Sequence, residues 1–220
     1  MLALSPFGDG APLRRVLAIG CHADDIEIGC GGTLLGLTRS RPDVEVTWVV
    51  LGAEGAREAE ARASAEGFLA SAAASEVVVL GFKDAYMPYH GEVVKDAFEE
   101  LKRFEPDLVL THTRADLHQD HRLACELTWN TFRDHLVLEY EIPKYDGDLG
   151  RPNAFVALED DVVVRKLELL ETHFGSQRSK DWFDDGVFRG LMRLRGMECR
   201  SPSGYAEGFT ARKLSMAVGG

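Results

Sequence analysis

Two short stretches far apart in the chain concentrate imidazoles and carboxylates, His22-Ala23-Asp24-Asp25 and His118-Gln119-Asp120-His121. Borderline imidazole nitrogen together with hard carboxylate oxygen suits a divalent ion such as zinc, and Fe2+ or Ni2+ fits the same donors. His22 and Asp25 are three residues apart, so a tight turn can aim both at one point. Asp24 between them cannot easily share that direction: as a third close ligand it would make a structural site, whereas leaning on a bound water it would make a base. His118 and His121 are also three apart, near an expected helix start where Asp120 can cap free backbone N–H groups. One of these histidines can complete a metal shell while the other faces a reacting group. A lone His-Asp pair is more often a surface or capping feature, and two dense clusters weigh against that reading.

The elements around the clusters explain how they could meet. Apolar runs at 15–20, 44–51, 77–80 and 108–110 read as strands. Helices are expected at 33–40, opened by Gly29-Cys30-Gly31-Gly32, at 56–74, where alanine dominates, and at 92–104, before Pro106. A helix at 119–134, strands at 136–140 and 154–158 and a helix at 162–173 come next, and 201–208 reads as a loop into a last short element. The arginines Arg189, Arg193, Arg195 and Arg200 alternate with apolar residues, which suggests a packed segment with solvated arginines. Apolar strands separated by helices indicate an α/β, Rossmann-like, doubly wound and mostly parallel sheet with helices on both faces. Ligands of such folds bind beyond the carboxyl ends of the strands. The two clusters come directly after the first and fourth strands, so the fold brings them to one rim.

At 220 residues, with 45% hydrophobic and 28% charged residues, the chain is expected to form one domain over 1–220. A formal net charge of -11 argues against nucleic acid and anionic membrane as partners. The opening residues lack a charged and then apolar leader and no stretch approaches a membrane span, so a cytoplasmic location is expected. Cys21, Cys30, Cys125 and Cys199 form no CxxC pair and are expected as small buried residues, with Cys21 on the opposite face of its strand from His22.

The motif His22-Ala23-Asp24-Asp25-Ile26-Glu27-Ile28-Gly29-Cys30-Gly31-Gly32 resembles the H-P-D-D-x-E-x-G-x-G-G signature of the LmbE-like/PIG-L family of zinc-dependent de-N-acetylases. Asp116-Leu117-His118-Gln119-Asp120-His121 resembles its D-x-H-x-D-H signature. Gly52-Ala53-Glu54-Gly55, Gly81-Phe82-Lys83-Asp84 and His173-Phe174-Gly175-Ser176-Gln177 resemble its later turns. Ala23 stands where the family has proline, which removes a turn constraint and no functional group. The resemblance implies that His22, Asp25 and His121 ligate Zn2+, that Asp24 is the general base, that His118 stabilises or protonates the reacting amide, and that Asp120 orients a histidine. It implies hydrolysis of the acetyl group from an N-acetylated amino sugar, with an N-acetylglucosaminyl group as the starting expectation, and a possible homo-oligomer. A few relatives use the same shell to hydrate an unsaturated acid, which is the alternative; a binding protein without chemistry is the third reading. Arg57 and Asp84 are candidates for substrate contacts, set against a solvated helix arginine and a turn aspartate.

Overall fold

The computed structural model describes residues 13–215. A seven-stranded sheet runs in the order β3-β2-β1-β4-β5-β7-β6. Its strands are β1 Arg15–Gly20, β2 Glu45–Val50, β3 Ala74–Val79, β4 Leu108–His112, β5 Leu136–Tyr140, β6 Ala154–Ala157 and β7 Ala206–Ala211. The first five are mutually parallel, and β7 enters antiparallel between β5 and β6. Six α-helices connect them: α1 Asp25–Ser40, α2 Ala56–Phe68, α3 Gly91–Glu100, α4 Gln119–Thr131, α5 Asp160–His173 and α6 Asp185–Cys199.

Alternation along β1 divides the core. Val16 and Ala18 face one layer, built with residues of α1, α2, α5 and α6, while Leu17, Ile19 and Cys21 face the other, under α3 and α4. Because β1 is covered on both sides it has no polar alternation, as expected of a central parallel strand. The chain leaves β1 toward β2 on one side, and β4 pairs with β1 on the other. The crevice at this reversal lies at the strands' carboxyl ends. Among the described residues no helix is long and apolar enough to cross a membrane.

Several boundaries differ from expectation. The helix expected at 33–40 begins at Asp25, so the glycine-rich run lies inside it. Tertiary contacts make this possible. Lys166 donates to Ile28 O at 2.6 Å and to Glu207 Oε1 at 2.7 Å, and Glu207 accepts from Gly32 N, Thr33 N and Thr33 Oγ1 at 2.8, 2.7 and 2.6 Å. A buried ammonium thus meets a carbonyl of the first turn, and a buried carboxylate meets two amides of the next turn, each complementing the local backbone dipole. A Cβ on Gly32 would lie 2.9 Å from Glu207 Oε1 and 2.7 Å from Leu158 Cδ1, so only glycine admits the carboxylate at this approach.

The helix expected at 56–74 stops at Phe68, and β3 begins at Ala74. Alanine favours a helix but does not exclude a turn, so 69–73 leave the helix, and pairing of Glu45 to Val50 with Ala74 to Val79 takes Ala74 into the sheet. The segment expected to carry solvated arginines is α6, and Arg195 in it is buried, gripping Glu141 through Nε and Nη2 at 2.6 and 2.7 Å. The loop expected at 201–208 gives way to β7 at Ala206. Cys21, Cys30 and Cys125 are buried, whereas Cys199 is partly exposed.

Candidate metal centre

Chain geometry brings both sequence clusters to the carboxyl ends of β1 and β4. His22 lies in the turn after β1, Asp25 opens α1, and His121 lies in the first turn of α4. Asp25 Oδ2 accepts from His22 N at 2.7 Å, which closes the turn and turns both side chains inward. His22 Nδ1 is 3.2 Å from His121 Nε2, and each nitrogen is 3.5 Å from Asp25 Oδ2. Bonds of about 2.1 Å at tetrahedral angles would separate neighbouring ligand atoms by about 3.4 Å. This N, N, O triangle therefore fits one divalent ion.

Asp116 sits behind His121: its Oδ2 lies 2.9 Å from His121 Nδ1, leaving Nε2 for the triangle. Lys144 pairs with the same oxygen at 2.9 Å and with Asp148 at 2.6 Å. Asp120 lies 3.4 Å from His22 Nε2. The cap expected of Asp120 is supplied instead by His118, whose Nδ1 accepts from Asp120 N at 3.3 Å. The Asp120 carboxylate turns away from its own helix and accepts from Ala85 N and Met87 N at 2.7 and 3.2 Å.

Asp24 and His118 flank the triangle. Asp24 is buried, and its Oδ2 pairs with Arg57 Nη2 at 2.9 Å in an ion contact without an in-line hydrogen bond. Arg57 also meets Glu60 and lies over the Phe174 ring, so it is half-buried and paired rather than free. Asp84 Oδ1 is 2.9 Å from His22 Nε2 and 3.9 Å from His118 Nε2. Sequence reasoning missed His112, fully buried at the end of β4, which stacks on His121 at 3.8 Å and puts Nε2 3.2 Å from Asp25 Oδ2. Its only sequence signal was a polar residue closing an apolar strand.

This packing sets the charges. Burial raises Asp24, and Arg57 opposes the rise. Burial would also raise Asp25, but the histidines His121 and His112 hold it well below the usual carboxylate range. Burial, with His112 beside it, pushes His121 down to about 4, so its ring is neutral and ready to ligate at pH 7. Burial and the neighbouring His22 lower His118 as well. His22 is raised because contacts to Asp120, Asp25 and Asp84 outweigh its desolvation, which shows how much negative charge collects where a cation would sit.

A cleft of about 600 Å³ opens over these groups, a size suited to a small-molecule ligand. Lys83, Lys144, Tyr145, Asp146, Lys180 and Trp182 contribute to its walls.

Fold and site together define a Rossmann-like α/β protein with a candidate divalent-metal centre, flanked by a buried carboxylate and an imidazole, at the sheet's switch point. The sequence model of the family described as PIG-L, GlcNAc-PI de-N-acetylase, matches residues 17–132, and the chain belongs to that family. It is 31% identical to diacetylchitobiose deacetylase of Thermococcus kodakarensis over 93% of this chain and 84% of that protein. Its fold matches that of N,N'-diacetylchitobiose deacetylase from Pyrococcus horikoshii in complex with an inhibitor (TM-score 0.69, 22% identity, 90% of this chain and 83% of that one). It also matches GalB, the 4-carboxy-2-hydroxymuconate hydratase of Pseudomonas putida (TM-score 0.72, 17% identity, 94% and 99%).

Proposed function

We propose that this chain is a zinc-dependent N-deacetylase that removes acetate from an N-acetylglucosaminyl group. The observation that carries the reading is the His22, Asp25 and His121 triangle with a carboxylate on one flank and an imidazole on the other, all facing one cleft. Kinship with a diacetylchitobiose deacetylase supports the substrate class. When bound, the ion supplies Lewis-acid chemistry, polarising a carbonyl and acidifying a water.

The remaining steps belong to the side chains. Asp24 takes the proton of the attacking water, and burial favours that uptake, while Arg57 keeps the carboxylate charged beforehand. Because His118 Nδ1 accepts from a backbone N–H, its neutral ring carries hydrogen on Nε2, the atom that faces Asp84 and the cleft. That N–H stabilises the oxyanion as the acetamide carbonyl becomes tetrahedral. Asp24 then returns its proton to the departing nitrogen, the C–N bond breaks, and acetate and a free amine leave. Asp116 and Asp120 act through His121 and His22 by fixing ring orientation.

The test is acetate release from a panel of N-acetylglucosamine derivatives by protein stripped with chelator and reloaded with one zinc per chain. Zinc-dependent release that Asp24→Asn abolishes is expected. Hydration of unsaturated acids with no acetate released would replace this reading with the hydratase.

A further inference from the structure

The chain between β5 and β6 forms a loop, 141–150, that is fastened at its base and in its middle. Arg195 of α6 closes the base, donating to both carboxylate oxygens of Glu141 at 2.6 and 2.7 Å and to Gly150 O at 3.2 Å. Within the loop, Lys144 Nζ lies 2.9 Å from Asp116 Oδ2 and 2.6 Å from Asp148 Oδ2, and Asp148 Oδ2 accepts from Leu117 N at 2.6 Å. Gly147 adopts φ 65°, a left-handed conformation that favours glycine, so the chain doubles back and Asp148 reaches Lys144. The loop is thereby tied to the segment that leads into His118.

Its tip is the turn at Tyr145 and Asp146. Tyr145 is 73% exposed, yet it lines the cleft over the metal centre. It follows directly on Lys144, whose partner Asp116 supports His121, so the tip stands beside the centre. Phe82 and Trp182 share the cleft wall but are packed on the two core layers, and Trp182 has Phe183 edge-on at 5.7 Å and Lys180 Nζ 5.5 Å from its ring centre. Among the described residues Tyr145 has no hydrogen bond, cation or ring partner. A ligand that covers this ring gains its burial without the cost of ordering the loop.

The Asp146 carboxylate next to it also lines the cleft and has no ion-pair partner among the described residues. An aromatic face beside an unpaired carboxylate suits a ring with an apolar C–H face and a rim of hydroxyls, and it repels an anion. The exposed lysines of the cleft, Lys83 and Lys180, belong to other segments and lie over the rings of Tyr86 and Trp182. We propose that Tyr145 and Asp146 form the subsite for the group beyond the acetamido sugar, and that this group is a second, uncharged sugar ring. Its face packs on Tyr145 while its hydroxyls donate to Asp146. The inference rests on the deacetylase reading and names the residues by which this chain selects among such substrates. A cleft of about 600 Å³ is larger than one amino-sugar ring.

Acetate release by zinc-loaded wild type, Tyr145→Ala, Tyr145→Phe and Asp146→Asn is compared on N,N'-diacetylchitobiose, N-acetylglucosamine and N-acetylglucosamine 1-phosphate. Wild type is expected to favour the disaccharide. The ratio of its kcat/KM to that of the monosaccharide should fall about tenfold in Tyr145→Ala, mainly through KM, and be kept in Tyr145→Phe. Asp146→Asn should lower the same ratio and raise the relative kcat/KM of the 1-phosphate. A merely structural tip would lower both sugars alike, so an unchanged ratio in Tyr145→Ala overturns the inference, as does a wild type that prefers the 1-phosphate to the disaccharide. Acetate release from none of the three counts against the deacetylase reading instead. Calorimetric titration of the same proteins with chitobiose then decides the subsite: binding weakened about tenfold by Tyr145→Ala supports it, and equal binding overturns it.

Discussion

Replacing Lys166 by methionine should show how α1 is held over the metal centre. The ammonium is buried and contacts Ile28 O and Glu207 Oε1 and no solvent, so its loss leaves a carbonyl without this donor and a buried carboxylate without its counter-charge. Removing one partner of a buried pair costs about 3–5 kcal/mol. Glu207 retains three donors, from Gly32 N, Thr33 N and Thr33 Oγ1, which places the loss near the lower end, about 3 kcal/mol. For a chain of this size that corresponds to a fall in Tm of about 6–12 °C. Glu207→Gln in the same background removes the unpaired charge while its carbonyl oxygen still accepts from the α1 amides. The double variant should therefore recover part of the stability, with a coupling of about 2 kcal/mol in a double-mutant cycle. Chemical denaturation in excess chelator is the appropriate assay, because it removes any contribution from bound metal. A Lys166→Met cost below about 1 kcal/mol, or strict additivity with Glu207→Gln, would refute the idea that the pair stabilises the glycine-rich part of α1.

Arg57→Gln removes the cation that opposes the rise of Asp24. A base must be deprotonated to act, so the acid limb of kcat/KM should move to higher pH, and a limb that stays or moves to lower pH would contradict the pairing. Asp116→Asn weakens the contact that orients His121 Nε2. Zinc affinity measured by chelator competition should fall about 10–100-fold, and an unchanged value would assign Asp116 a packing role. Burial raises the thiols of Cys21, Cys30 and Cys125 above their ordinary range, whereas Cys199 is partly exposed. Brief maleimide treatment of the native protein should modify Cys199 alone, and peptide mapping that finds label on Cys21 would contradict the packing around the site.

The sequence by itself determined the strand-helix alternation and the placement of two ligand clusters after the first and fourth strands. Both arise from local composition, since an apolar run between turn residues forms a buried strand wherever its neighbours allow, and the doubly wound order then dictates which strand ends meet. His22, Asp24, Asp25, His118 and His121 were legible because the chemistry needs these residue types at short spacing. Tertiary structure decided which atoms face one another. Asp116 supports His121 although Asp120 is its nearer sequence neighbour, because the start of α4 turns the Asp120 carboxylate toward the loop carrying Ala85 and Met87. His112 joins the centre only because β4 pairs beside β1. The start of α1 was also settled from afar, by Lys166 and Glu207 supplying partners to Ile28, Gly32 and Thr33 around a glycine-rich run that local propensity would have left outside the helix. Propensity and spacing act over a few residues, whereas a buried charge takes its partner from wherever packing brings one.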